Sequence, residues 1–153
     1  MKFFLLATTI SLAFLGCSHN TAFDRFEMSS EREFSEESIQ STKIINEQET
    51  QGVVTVVYLN KVYPTLYKDA EYFYIYLNVE GESEKTTFWL NSKPSMYLEE
   101  LPINNEFTSL TQFDADWKHY YLVGFKQEKK DTILKLEIKN EKSIASLEYK
   151  RKN

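Results

Sequence analysis

Apolar and polar residues alternate with period two over much of the last two thirds of this chain, the signature of strands that bury one face. The segment EYFYIYLNV, residues 71–79, sets Phe73, Ile75, Leu77 and Val79 on one face and Tyr72, Tyr74, Tyr76 and Asn78 on the other. TILKLEIKN, residues 132–140, sets Leu134, Leu136 and Ile138 against Lys135, Glu137 and Lys139, and WKHYYLVGFKQ, residues 117–127, has Trp117, His119, Tyr121, Val123 and Phe125 in phase. The β-branched run VVTVVYLN (53–60) and the final stretch SIASLEYKRK (143–152) read as further strands. KTTFWLN (85–91) follows the turn residues GESE (81–84) and is expected to form a hairpin with 71–79, while Pro94 and Pro102 mark a looser region after it. Short strands and turns in about 100 residues predict an all-β domain, an antiparallel β-sandwich of immunoglobulin-like type, with a small closed β-barrel as the alternative. A transmembrane barrel is disfavoured, because Lys135, Glu137 and Lys139 would place charge in lipid and the length cannot supply eight long strands.

The first twenty residues have a different texture. Lys2 is followed by FFLLATTISLAF (3–14), an apolar and small-residue run too short for the roughly twenty residues of a spanning helix and suited to a secretory signal. It ends in FLGC (Phe14, Leu15, Gly16, Cys17), and Cys17 is the only cysteine in the chain. This segment resembles the lipobox of a bacterial lipoprotein precursor. The resemblance implies cleavage of residues 1–16, a diacylglyceryl group on the Cys17 thiol, acylation (palmitate-type) of the freed amine, and stable anchoring by two or three chains. It covers only the first twenty residues. Ser18 at the next position implies sorting to the outer membrane, so the chain is expected in the cell envelope, facing the periplasm or the cell surface. A lone cysteine also cannot form an intramolecular disulfide, so the domain must be held by its core.

Charge separates tether from domain. The whole chain carries −5; loss of residues 1–16 removes Lys2 and leaves 17 basic and 23 acidic residues. Residues 18–50 hold eight acids against Arg25, Arg32 and Lys43, whereas the remaining 103 residues are nearly neutral. Residues 17–50 therefore read as a lipid-anchored acidic tether, flexible or partly helical, reaching on the order of 30 Å from the membrane. SERE (30–33) has capping-box form for a short helix. The β-domain is expected over 51–153.

Little in the sequence points to catalysis. His19 lies in the tether, and His119 is the one domain histidine; on an extended chain Asp114 and Asp116 share the face opposite to it, so no metal or acid–base site is expected there. Glu99 and Glu100 are adjacent and point apart, and no glycine-rich phosphate loop or nucleophile elbow occurs. No enzyme activity, cofactor or metal is expected. Aromatic residues are the most suggestive feature. Tyr72, Tyr74 and Tyr76 form a face able to dock a protein partner, or to be covered as core. With Trp89, Trp117, Tyr120 and Tyr121 they could also stack a glycan. KRK (150–152) is too short for nucleic-acid recognition and reads as a solvated terminus. The expectation is a membrane-anchored, non-catalytic module that docks onto an envelope protein, with carbohydrate or cell-wall binding as the alternative.

Overall fold

A computed structural model of the chain describes residues 38–47, 49–79, 86–111, 118–141 and 143–151. The signal segment, Cys17, the tether to Glu37, the turn 81–84, Asp114, Asp116, Trp117 and Lys152 lie outside the described residues. The elements run β1 (Ile39–Asn46), β2 (Glu49–Tyr58), α1 (Leu59–Val62), β3 (Ala70–Val79), β4 (Thr87–Leu90), β5 (Lys93–Pro94), β6 (Tyr97–Leu101), α2 (Thr108–Thr111), β7 (Lys118–Lys126), β8 (Ile133–Lys139) and β9 (Ile144–Lys150). The fold is mostly β, and every strand pairing among the described residues is antiparallel.

The nine strands among the described residues belong to one sheet, in the order β5-β4-β8-β9-β1-β2-β3-β7-β6. The sheet curls into a half-barrel. Its two halves meet at β1 and β9 through the single pair Ile45 and Ile144, and from that corner they fold over one another. The expected all-β, antiparallel architecture is present, as one curled sheet rather than the two separate sheets of a sandwich. Ring contacts cross the enclosed space: Phe88 of β4 lies 5.2 Å from Tyr121 of β7, and Tyr149 of β9 lies 5.5 Å from Phe73 of β3. The two ends of the sheet are also tied covalently, because β5 and β6 are separated only by Ser95 and Met96. The Ser95 amide donates to the Phe88 carbonyl of β4, and the Met96 amide donates to the Gly124 carbonyl of β7.

Two corrections concern the strands. Residues 39–46, read as tether, form β1 and pair along their length with β2. A register shift between Ile44 and Ile45 explains why the pattern was silent, since a bulge breaks the period-two alternation that marks a strand. The hairpin expected between 71–79 and 85–91 does not form. β3 already has β2 and β7 on its two sides, and β4 instead pairs with β8 and β5.

The inner face carries Val54, Val56, Phe73, Ile75, Leu77, Val123, Phe125, Leu134, Leu136, Ile138, Leu147 and Tyr149, the in-phase residues of five strands. A second apolar layer lies outside β2, β3 and β7, where Val57, Tyr74, Tyr76, Tyr120 and Leu122 pack against Leu59 and Val62 of α1 and against Phe107 and Leu110. Asn60 fastens the first cover: its Nδ2 donates to the carbonyls of Tyr67 (2.7 Å) and Ala70 (2.6 Å), and its Oδ1 accepts from the Tyr72 amide at 2.7 Å. Asn105 shapes the second, donating to the Pro102 carbonyl and accepting from the Phe107 amide, both at 2.9 Å. At the tight link between β4 and β5, Asn91 and Ser92 both adopt left-handed φ (47° and 65°), the geometry of a two-residue hairpin turn.

Candidate functional site

The tyrosine face proposed by the alternation of β3 is not a surface. Tyr74 is fully buried and Tyr76 is buried with it beneath α1 and the 102–111 segment; only Tyr72 is half-buried. The reason is local: β3 is a central strand whose outward face is covered, so its tyrosines serve as core. Tyr120 and Tyr121 are buried as well. Trp89 is half-buried on the outer face, with the Lys139 ammonium 5.3 Å from its ring centroid and its Nε1 donating to the Thr87 hydroxyl. That ring already engages a cation on one face. His119 lies on β7 with Nδ1 3.2 Å from Glu100 Oε1, and among the described residues no group of three or more His, Cys, Asp or Glu is placed to hold a metal ion.

Exposed large apolar side chains occur at the β1–β9 corner, where Ile45 and Ile144 pair, and in a consecutive run at the β6 end of the sheet. Met96 is 64% exposed, Leu98 50% and Tyr97 40%. Here the side chains are organised by a glycine. Gly124 of β7 is in register with Tyr72 of β3 on one side and with Tyr97 of β6 on the other. A Cβ at Gly124 would lie 2.8 Å from Tyr72 Cε1 and 3.1 Å from Tyr97 Cβ, so the absent side chain lets the two tyrosines close over the strand. Their rings meet edge to face at 6.3 Å, and Tyr72 continues to Tyr67 at 5.0 Å. The outcome is a short aromatic row running from the cover layer to the open edge.

The same edge is acidic. Glu99 and Glu100 are exposed, Glu99 accepting from the Tyr97 hydroxyl and Glu100 facing His119. The hydrogen bond to Glu99 holds the Tyr97 phenol above its ordinary pKa, and Glu106 adds a smaller upward push. Burial comes first for Tyr67, whose pKa is also raised.

A second polar feature lies at one end of the curl. Glu71 is fully buried on the inner face; the Tyr58 hydroxyl donates to its Oε2, and Arg151 Nε donates to its Oε1 at 2.8 Å. Arg151 also donates to the Glu128 carbonyl, and its own amide donates to the Thr132 carbonyl at 3.0 Å. The solvated terminus expected for KRK is therefore corrected at its middle residue, whose guanidinium turns into the molecule. Beside it is a cavity of about 50 Å³, bounded by Asn91, Met96, Phe125 and Leu134, comparable to the space of one or two water molecules and too small for an organic ligand. This cluster closes the end of the curl.

Sequence reasoning missed both features, though each left a trace. Glu71 shares the phase of Phe73 and Ile75, and Arg151 shares that of Leu147 and Tyr149: opposite charges in step with two apolar faces. The β6 edge lay in the region set aside for its prolines.

Comparison with protein-family models, with curated proteins and with solved structures finds no match for this chain.

Proposed function

We propose that this chain is a lipid-anchored lipoprotein of the bacterial envelope whose non-catalytic β-domain docks onto another envelope protein through the β6 edge. The address rests on the FLGC segment, with Cys17 as the lipidated residue. The docking role rests on one observation: Tyr97 and Leu98 at the start of the terminal strand β6, and Met96 just before it, are all exposed, with Tyr97 beside the Tyr72 ring. Large apolar and aromatic side chains grouped at a surface favour association, because covering them removes apolar area from water. Anchoring concentrates the domain near its partners, so modest affinity suffices.

The test combines two readings in growing bacteria: incorporation of a clickable palmitate analogue, and photocrosslinking from a probe at Leu98, each in the natural chain and in Cys17→Ala. Label on the natural chain alone, with a discrete adduct that depends on Cys17, supports the proposal. Absence of label removes the lipoprotein reading, and absence of an adduct from labelled protein removes the docking reading.

A further inference from the structure

We infer that the free edge of β6 takes up an extended segment of its partner as a tenth, antiparallel strand, and that this segment is basic where it faces Glu99 and Glu100 and apolar where it faces Met96 and Leu98. The inference rests on the docking proposed at this edge and specifies its partner. β6 hydrogen-bonds β7 over five consecutive register pairs, from Tyr97 with Gly124 to Leu101 with Tyr120, and no described strand lies on its other side. Half of its backbone N–H and C=O groups therefore face outward, the template for strand addition. The opposite end of the sheet differs: β5 is two residues long and includes Pro94, which lacks an amide hydrogen, so that edge is blunted.

Charge selects among possible occupants. A second copy pairing through its own β6 would bring four carboxylates, Glu99 and Glu100 from each chain, into one short ladder, and like charges across a ladder are destabilising. The chain's own residues 18–37 carry six acids against Arg25 and Arg32, so the tether is repelled as well. Glu106, close enough to act on the Tyr97 phenol, extends the negative rim. A basic segment from another protein is attracted where these two are repelled. Because β6 runs from apolar residues to acids, an antiparallel partner runs from basic to apolar.

The probe is the peptide Thr-Lys-Lys-Val-Ile-Val-Thr, titrated into the full-length chain in detergent and followed by backbone amide shifts and hydrogen exchange. Binding is expected to protect β6 amides, and to weaken at least tenfold when both lysines are replaced by glutamate. Methylation of alternate backbone nitrogens along one peptide edge should abolish binding, while methylation along the other edge should leave it. The double variant Glu99→Lys/Glu100→Lys should invert the preference between the lysine and glutamate peptides. No binding at millimolar peptide, equal binding by both methylated forms, or self-association of the chain through β6 overturns strand addition. If those arms fail while the Leu98 adduct forms in cells, docking at this edge stands and its strand-addition mode falls.

Discussion

Arg151 and Glu71, 80 residues apart in sequence, meet inside the curl with Nη2 2.5 Å from Oε1, tying the end of β9 to the start of β3. The Glu71 side chain is wholly buried and that of Arg151 nearly so. Taking both from water is costly, and the pair is tolerable because Tyr58 and the Glu128 carbonyl take up further hydrogen-bonding capacity. Removing one partner is the damaging change. Arg151→Ala leaves a buried carboxylate without its cation and should cost about 3–5 kcal/mol in urea unfolding. The double variant Glu71→Leu/Arg151→Leu should lose less than Arg151→Ala alone, and strictly additive losses would contradict the coupling.

Alkaline pH should unfold the domain through two tyrosines. Burial, followed by the hydrogen bond to Glu71, raises the Tyr58 pKa, and burial alone raises that of Tyr149. Both remain protonated in the folded state at pH values where the unfolded chain, near pKa 10, has released its protons. Their contribution is complete below about pH 10 and declines above it, by about 1.4 kcal/mol per pH unit for each group. Urea midpoints measured from pH 8 to 11.5 should fall less steeply in Tyr149→Phe than in the natural chain. Equal slopes would contradict the assignment.

Tyr74 and Tyr97 should behave oppositely although the sequence presents both simply as strand tyrosines. Tyr74→Ala empties a core position between Phe107 and Tyr120 and should cost about 3–5 kcal/mol. Tyr97→Ala, at the open edge, should cost about 1 kcal/mol or less, leave the fold intact, and reduce the adduct from position 98. Comparable destabilisation by both would contradict the division between core and surface.

Period-two alternation was enough to read β3, β7, β8 and β9 as strands and to place Phe73, Ile75, Leu77, Val123, Phe125, Leu134, Leu136 and Ile138 on the inner face, because that face packs against a continuous core. It could not show which strands are neighbours. Nor could it show that the outer face of β3 is covered, since the cover comes from the single turn of α1 just before β3 and from Phe107 well after it, neither marked by a helical period. β1 was hidden by its bulge at Ile44 and Ile45, and β6 by its brevity and by Pro94 and Pro102 around it. The candidate site suffered most: Tyr72 was legible as an aromatic on a strand, but its partnership with Tyr97 depends on Gly124 in register between them.

Asn60 should prove the fastening of the outer layer. Asn60→Ala strands the Tyr67 and Ala70 carbonyls and the Tyr72 amide, and should cost about 2–3 kcal/mol. Hydrogen exchange at the Tyr72 amide should accelerate before global unfolding. An unchanged rate there would show that the α1 cover is held by apolar packing alone.

The most direct test of the docking account is a walk of photocrosslinking probes in living cells along Met96, just before β6, and Leu98 and Glu100 on it, with Ser146 and Glu148 on the exposed outer face of β9 as the reference surface. The account predicts one protein adduct of constant identity from the β6 positions and none from β9. Adducts from β9 as strong as those from β6, or none from β6 in folded and anchored protein, would contradict it.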